Sequence, residues 1–130
     1  MHMKNDEYDP RYLKGIELFN AGAHFDAHEV WEELWKECDS GDRRFYQSLI
    51  HAAVAIYHAG RGNHTGASRL LGSGSRYAAA YPSPHRGFDH VPFWREMHAY
   101  IEFAFVSDGI VLNASTAPGI SLVPSKNLDI

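Results

Sequence analysis

Apolar side chains recur at helical spacing along most of the chain and predict five helices. The five segments with this periodicity are 9–22, 24–38, 42–59, 63–80 and 93–109. Asp9 and Pro10 mark the first start, because Asp caps a helix and Pro fits its first turn. Asn63 is the corresponding cap of the fourth helix. The short connections between these segments predict an all-α, up-and-down bundle of about five helices.

The third segment is apolar around nearly its whole circumference, which is typical of a central, buried helix. One narrow polar row interrupts it, formed by Gln47, His51 and His58. An unpaired polar group in a core costs about 1–3 kcal/mol, so these side chains need partners. The second helix would supply the partners if the two helices formed an antiparallel hairpin.

The second segment carries the densest polar motif of the chain. On a helix, His28 and Glu32 lie one turn apart at the border between an apolar and a polar face, and Trp35 continues their row. Side chains at this spacing are about 5–6 Å apart at Cβ, close enough to share a metal ion or a hydrogen bond. Glu29 and Glu33 fall on the polar side, where solvation is the commoner outcome.

Two glycines leave the continuity of the fourth helix open. Gly72 and Gly74 weaken its middle, since each Gly costs about 1 kcal/mol relative to Ala in a helix. A loop is expected over residues 81–92, and Asp108-Gly109 would close the fifth helix. The tail after it contains two prolines and is expected to be extended chain that wraps over the bundle through its apolar residues. These residues are Ile120, Leu122 and Val123.

Composition and charge narrow the function classes. The 130 residues suffice for one domain with a core, and 45% of them are hydrophobic. The net charge of −4 argues against a nucleic-acid-binding surface, which needs basic residues. No apolar run approaches the roughly 20 residues that span a bilayer, and residues 1–9 lack the apolar region of a signal peptide. We therefore expect a cytoplasmic protein with one helical domain over residues 1–130.

Three further residues have ordinary explanations. Cys38 is the only cysteine, which excludes an intrachain disulfide and a cysteine-based zinc site. His24 is expected to be an exposed residue at a helix start. Arg61 could hold an anion beside Asn63, although a solvated Arg61 and a capping Asn63 are the commoner arrangement.

Several motifs, in order along the chain, resemble a known family. They are Phe19-Asn20-x-Gly22, Phe25-Asp26-Ala27-His28-Glu29-x-Trp31-Glu32-x-x-Trp35, Tyr46-Gln47-x-Leu49-Ile50, Arg61-Gly62-Asn63-x-x-Gly66-Ala67-x-x-Leu70-Leu71 and Gly87-Phe88-Asp89. Over about residues 12–105 the chain is similar to domain-of-unknown-function family 309, which is described by a His-x-x-x-Glu-x-x-Trp/Tyr motif. The resemblance implies a small helical bundle with no established activity and a motif suspected of metal binding or catalysis.

One hypothesis is a metal-dependent enzyme of the hydrolase type. His28, Glu32 and His58 would hold a divalent ion, either zinc, for which His and carboxylate ligands are common, or manganese or iron. Glu32 would then act at the metal, with Glu29 or Gln47 positioning a water molecule. His51 is not assigned to this site, because it lies about 10 Å from His58 along the helix.

The alternative hypothesis is a non-enzymatic module that forms a homo-oligomer or binds a partner. In this case the same polar residues would satisfy one another in a closed, buried hydrogen-bond network. The members of that network would be His28, Glu32, Gln47 and His58. We favour this second hypothesis slightly, because a substrate pocket cannot be identified from sequence. The chain also lacks a phosphate-binding glycine loop and a nucleophile elbow.

Overall fold

The computed structural model describes residues 8–106 and 116–124, and this part of the chain contains five α-helices in the predicted order. They are α1 (Pro10–Asn20), α2 (His24–Glu37), α3 (Arg43–Gly60), α4 (His64–Ala78) and α5 (His90–Val106). Each helix packs against the next along the chain, which confirms the predicted all-α bundle. The expected closure at Asp108-Gly109 lies outside the described residues. None of the described helices is long and apolar enough to cross a membrane.

Two helix starts carry the caps that the sequence predicted. The Asp9 carboxylate accepts a hydrogen bond from the Arg11 backbone N–H at 2.8 Å. Asn63 Oδ1 accepts one from the Gly66 backbone N–H at 2.9 Å. The start of α2 differs, because its N-cap residue is Ala23 and none of the side chains in residues 8–106 and 116–124 caps its first turn. The first turn of α2 therefore keeps backbone donors that a cap would normally satisfy.

The central position predicted for α3 is confirmed, since this helix packs against α2, α4 and α5. Its buried residues are Phe45, Tyr46, Ser48, Leu49, Ile50, Ala52, Ala53, Ala55, Ile56 and Ala59. Large side chains from the other helices complete the same core, among them Trp31 of α2 and Met97 of α5. Burying these apolar surfaces is the main favourable contribution to folding.

Small residues let the helices approach closely at two crossings. A Cβ at Gly15 of α1 would lie 2.0 Å from Trp31 Nε1 of α2. A Cβ at Gly74 of α4 would lie 2.6 Å from the Trp94 ring of α5. The α4 helix continues without a break through both of its central glycines, which answers the question left open by the sequence. Close packing at Gly74 offsets its low helix propensity.

Asp42 ties the loop between α4 and α5 to the start of α3. Its Oδ1 lies 2.7 Å from His85 Nε2, and its Oδ2 accepts a hydrogen bond from Arg86 Nε at 2.9 Å. Burial alone would raise the pKa of Asp42, but the bonds from His85 and Arg86 hold that pKa below its ordinary value.

The described part of the tail packs on the bundle through Ile120 and Leu122 as predicted, but the expected packing of Val123 is wrong, because that side chain is exposed. The Asn20 side chain donates to the Ile120 carbonyl and accepts from the Ile120 N–H, both at 2.8 Å. The Val123 N–H donates to the Gly87 carbonyl at 2.7 Å. Ile120 is buried, whereas Val123 is exposed. Residues 116–124 therefore join the end of α1 to the α4–α5 loop.

Candidate functional site

The polar residues singled out in the sequence lie at intermediate depth rather than deep in the core. The partly buried ones are His28, Glu32, Gln47 and His58, and Glu29 is exposed. His28 Nδ1 lies 2.6 Å from the Phe25 backbone oxygen of its own helix. Asn63 Nδ2 donates to His58 Nδ1 at 3.3 Å. Each imidazole thus bonds to its local surroundings.

The closed hydrogen-bond network expected from the sequence is not formed. Within residues 8–106 and 116–124, no hydrogen bond joins any two of its four members. The same described residues contain no group of three His, Cys, Asp or Glu side chains that could hold a metal ion. The assignment of His28, Glu32 and His58 as metal ligands, with Glu29 or Gln47 at a water, stays a prediction.

The imidazoles of His28 and His58 have different surroundings because successive side chains of α3 point in different directions around the helix axis. Successive helical residues point about 100° apart, so Tyr57 and His58 face different neighbours. Tyr57 packs on Phe25 of α2, with ring centroids 5.3 Å apart. His58 instead lies beside α4, where a Cβ on Gly66 would be 2.9 Å from its ring. The polar row of α3 therefore does not turn wholly toward α2.

A pocket of about 350 Å³ lies where α2 begins and α3 ends, and we call it the end pocket. Its lining residues are Gly22, Ala23, His24, Phe25, Asp26, Ile56, Tyr57, Gly60, Arg61 and Tyr100. This volume falls within the roughly 300–1,000 Å³ that is typical of small-molecule sites. The pocket combines the α1–α2 turn, one end of α3 and a single residue of α5.

One side of the end pocket is aromatic and carries a cation. The rings of Phe25 and Tyr57 pack at 47° to each other, beside Ile56 and Tyr100. The Arg61 guanidinium carbon lies 5.4 Å from the centroid of the Tyr57 ring. Arg61 is exposed and forms no ion pair with the described residues. Its charge is therefore available to a molecule in the pocket.

The other side of the end pocket is the uncapped start of α2. Gly22, with φ of 84°, turns the chain from α1 into α2, a conformation that suits glycine. The backbone N–H groups of His24, Phe25 and Asp26 precede the first intrahelical bond, and no side chain in the described part of the chain accepts from them. Free N–H groups and the helix dipole make this end of α2 electropositive.

His24 is buried, so the expectation of an exposed helix-start residue is wrong. Its exposed fraction is 6%, and its ring packs edge-on against Phe19 with centroids 4.8 Å apart. Its Nε2 is buried without a hydrogen-bond partner in the described chain. Burial lowers the pKa of His24, so the imidazole is neutral at pH 7. A buried nitrogen without a partner is uncommon, and within the described residues His24 shares this feature with Nε1 of Trp35 and Nε1 of Trp94.

Two sequence signals for this pocket were available but were not decisive. Ala23 stands at a helix start, where Ser, Thr, Asp or Asn is normally preferred. Arg61 directly follows α3, where it was expected to be solvated. Neither signal shows that the start of α2 and the end of α3 meet. That juxtaposition depends on how the two helices pack.

Comparison with known proteins confirms the resemblance seen in the motifs. Residues 12–70 match the model of a domain of unknown function, DUF309. The matched range includes every residue that lines the end pocket except Tyr100.

The chain is also similar to an individual bacterial protein. The chain is 37% identical over 90 residues to the uncharacterized protein YpuF of Bacillus subtilis. The alignment covers 64% of this chain and 50% of that relative, so the chain spans about half the length of the curated relative it matches. No solved structure matches the chain.

Proposed function

We propose that this protein is a binding module that takes a small molecule in the end pocket. The observation that carries the proposal is a cavity of about 350 Å³ in which apolar walls meet polar groups that have no partner among the described residues. Binding sites for small molecules are usually mostly apolar, with a few polar groups that fix orientation. The end pocket has both features.

The pocket is supported by rigid elements on most sides. Phe25 belongs to α2, Ile56 and Tyr57 belong to α3, and Tyr100 belongs to α5. Ile56 is part of the buried core, so the floor of the pocket is fixed by packing. A site held by helices needs little rearrangement on binding, which favours affinity.

The proposal is tested by NMR spectroscopy of the ¹⁵N-labelled protein with two neutral aromatic probes, 3-phenylpropan-1-ol and indole. We expect at least one probe to shift the amide resonances of the pocket lining, such as those of Phe25, Tyr57 and Gly60. A Gly60→Leu variant should lose this binding, because the added side chain narrows the pocket. A Cβ at Gly60 meets nothing within 4 Å, so the variant is expected to fold.

Gly41→Leu is the matched control. A Cβ at Gly41 also meets nothing within 4 Å, and Gly41 does not line the end pocket. This variant should bind the probes as the natural chain does. Binding that survives Gly60→Leu would overturn the proposed function. So would the absence of pocket shifts with these two probes and also with 3-phenylpropionate, L-phenylalanine and phenyl phosphate.

A further inference from the structure

We propose that the ligand of the end pocket is a small monocarboxylate with an apolar, ring-sized body. Its carboxylate would bind the free N–H groups of α2 and the guanidinium of Arg61. This inference rests on the proposed function and names the class of molecule that the pocket would take.

The turns that enter α2 and α4 have the same backbone construction. Gly22 and Gly62 have φ of 84° and 78°, and each is followed by the N-cap residue of the next helix. Ala23 has φ −88° and ψ 66°, and Asn63 has φ −87° and ψ 85°. The N–H of each N-cap residue bonds back to the carbonyl five residues earlier, at 2.9 Å in both turns.

The two turns differ in what satisfies the first helical donors. At α4, Asn63 Oδ1 accepts from the backbone N–H three residues later, that of Gly66. At α2 the equivalent donor is the N–H of Asp26, and Ala23 has no side-chain oxygen to accept from it. The similar dihedral angles show that a cap oxygen is sterically possible at this position. The position that a cap oxygen would occupy is therefore available to an oxygen atom of a bound molecule.

A second observation comes from a buried polar side chain beside the same helix end. His24 lies in the same first turn and lines the pocket, is 6% exposed and has an unpartnered Nε2. A neutral imidazole can donate or accept one hydrogen bond from each nitrogen, according to its tautomer. Together with Arg61, His24 adds side-chain groups to the helix end. The site is thus more than a helix N-terminus.

The charges around the pocket favour a ligand with one negative charge. Arg61 contributes one positive charge, and the first turn of α2 contributes a partial positive charge. Asp26 also lines the pocket and carries a negative charge at its exposed position. A phosphate with nearly two negative charges would be repelled more strongly by Asp26 than a monocarboxylate would. A ligand ammonium, as in an amino acid, would pair with Asp26.

The remaining lining defines the body of the ligand. Phe25, Tyr57 and Tyr100 provide three aromatic rings, and Ile56 provides an aliphatic surface. Aromatic side chains prefer edge-on and offset contacts with other rings. The pocket volume of about 350 Å³ leaves room for a molecule of about the size of a phenylpropionate.

Calorimetric titration of the full chain with four probes tests the inference. The probes are 3-phenylpropionate, L-phenylalanine, 3-phenylpropan-1-ol and phenyl phosphate. We expect at least one of the two carboxylates to bind about tenfold more tightly than the alcohol, as hydrogen bonds to a charged group would give. We also expect phenyl phosphate to bind more weakly than that carboxylate. Tighter binding of L-phenylalanine would identify amino acids as the source of the carboxylate, and tighter binding of 3-phenylpropionate would identify simple acids.

Two variants test separately what Arg61 and the uncapped start of α2 contribute to binding. Arg61→Gln should reduce the affinity for the carboxylate about tenfold and leave that for the alcohol unchanged. Ala23→Asn should do the same, because the new amide oxygen would occupy the position of the carboxylate. Arg69→Gln is the control for charge, because Arg69 is exposed on α4 and does not line the pocket.

The outcomes distinguish this inference from the proposed function. If the alcohol binds in the pocket as tightly as both carboxylates, the pocket still binds small molecules but the inference is wrong. Carboxylate affinities that are unchanged in both Arg61→Gln and Ala23→Asn would also overturn it. Tighter binding of phenyl phosphate than of both carboxylates would show that the pocket takes a phosphate ester and that the inference of a monocarboxylate is wrong. If no probe binds in the pocket, both the function and the inference fail.

Discussion

His24 lies at the start of α2 with its ring against Phe19 and its Nε2 without a hydrogen-bond partner. Burial disfavours the charged form of the imidazole and lowers the pKa of His24. In the unfolded chain the same group would titrate near 6.5. The folded state therefore binds a proton at His24 less readily than the unfolded state does.

This difference predicts a loss of stability on acidification. As the pH falls below about 6.5, the unfolded chain takes up a proton at His24 before the folded chain does, so the free energy of unfolding decreases. The slope is at most about 1.4 kcal/mol per pH unit for one such group. His24→Phe should make the free energy of unfolding, measured by urea denaturation from pH 7 to pH 5, less dependent on pH.

His98→Gln is the control for this measurement, since His98 is exposed on α5. It should leave the pH dependence unchanged. Some dependence should persist in His24→Phe, because burial also lowers the pKa of His51. If the free energy of unfolding of His24→Phe changed with pH as steeply as that of the natural chain, the assignment of this pH dependence to His24 would be wrong.

At the scale of elements, the starts of α2 and α4 show how one side chain decides whether a helix end is satisfied internally. Both starts follow a glycine with positive φ, and both have N-cap residues with similar dihedral angles. Asn63 caps α4, whereas Ala23 leaves α2 uncapped. The missing cap lowers stability and keeps backbone donors open to a ligand.

The comparison of the two helix starts predicts that two single substitutions change the free energy of unfolding in opposite directions. Ala23→Asn should raise the free energy of unfolding by about 1 kcal/mol, because a side-chain oxygen would then accept from the first turn of α2. Asn63→Ala should lower it by about the same amount. Chemical denaturation of both variants measures the difference. A destabilised Ala23→Asn variant would show that the α2 turn cannot accommodate a cap.

At the scale of the whole molecule, Asp42 and the tail connect parts of the chain that are far apart in sequence. Asp42, at the start of α3, bonds to His85 and Arg86 in the α4–α5 loop. Asn20, at the end of α1, holds the tail at Ile120. These bonds fix the loop and the tail against the helical core. The side chain of Asp42 is 11% exposed, so its two partners replace most of its hydration.

Removing the charge of Asp42 should therefore destabilise the fold. Asp42→Asn is expected to cost about 1–3 kcal/mol at pH 7, since it weakens hydrogen bonds to a charged group. The pKa of Asp42 is lowered in the folded state, so its contribution is present above the ordinary value of about 3.9 and is lost as the pH falls through the folded value. The cost of the variant should therefore shrink in acid.

Urea denaturation at pH 7 and at pH 3 measures this change. Asp39→Asn is the control, because Asp39 is a neighbouring exposed carboxylate. It should change the free energy of unfolding by less than about 0.5 kcal/mol. A cost at Asp42 that is equal at both pH values would contradict the ionic role.

Most of the fold could be predicted from the sequence because its signals are local. The helical spacing of apolar residues, the caps at Asp9 and Asn63 and the apolar circumference of α3 each depend on a few neighbouring residues. The site was less predictable. His28 and His58 have suitable residue types, but the rotation of α3 gives His58 a neighbour on α4.

The sequence by itself determined the helices, their order and the family resemblance, because periodicity and capping act over one or two turns. Only the tertiary structure decided that the uncapped start of α2 meets the end of α3 and Tyr100 around one pocket. It also decided that His24 is buried. Helix packing brings together residues that are more than 70 positions apart, and no local pattern in the chain specifies that contact.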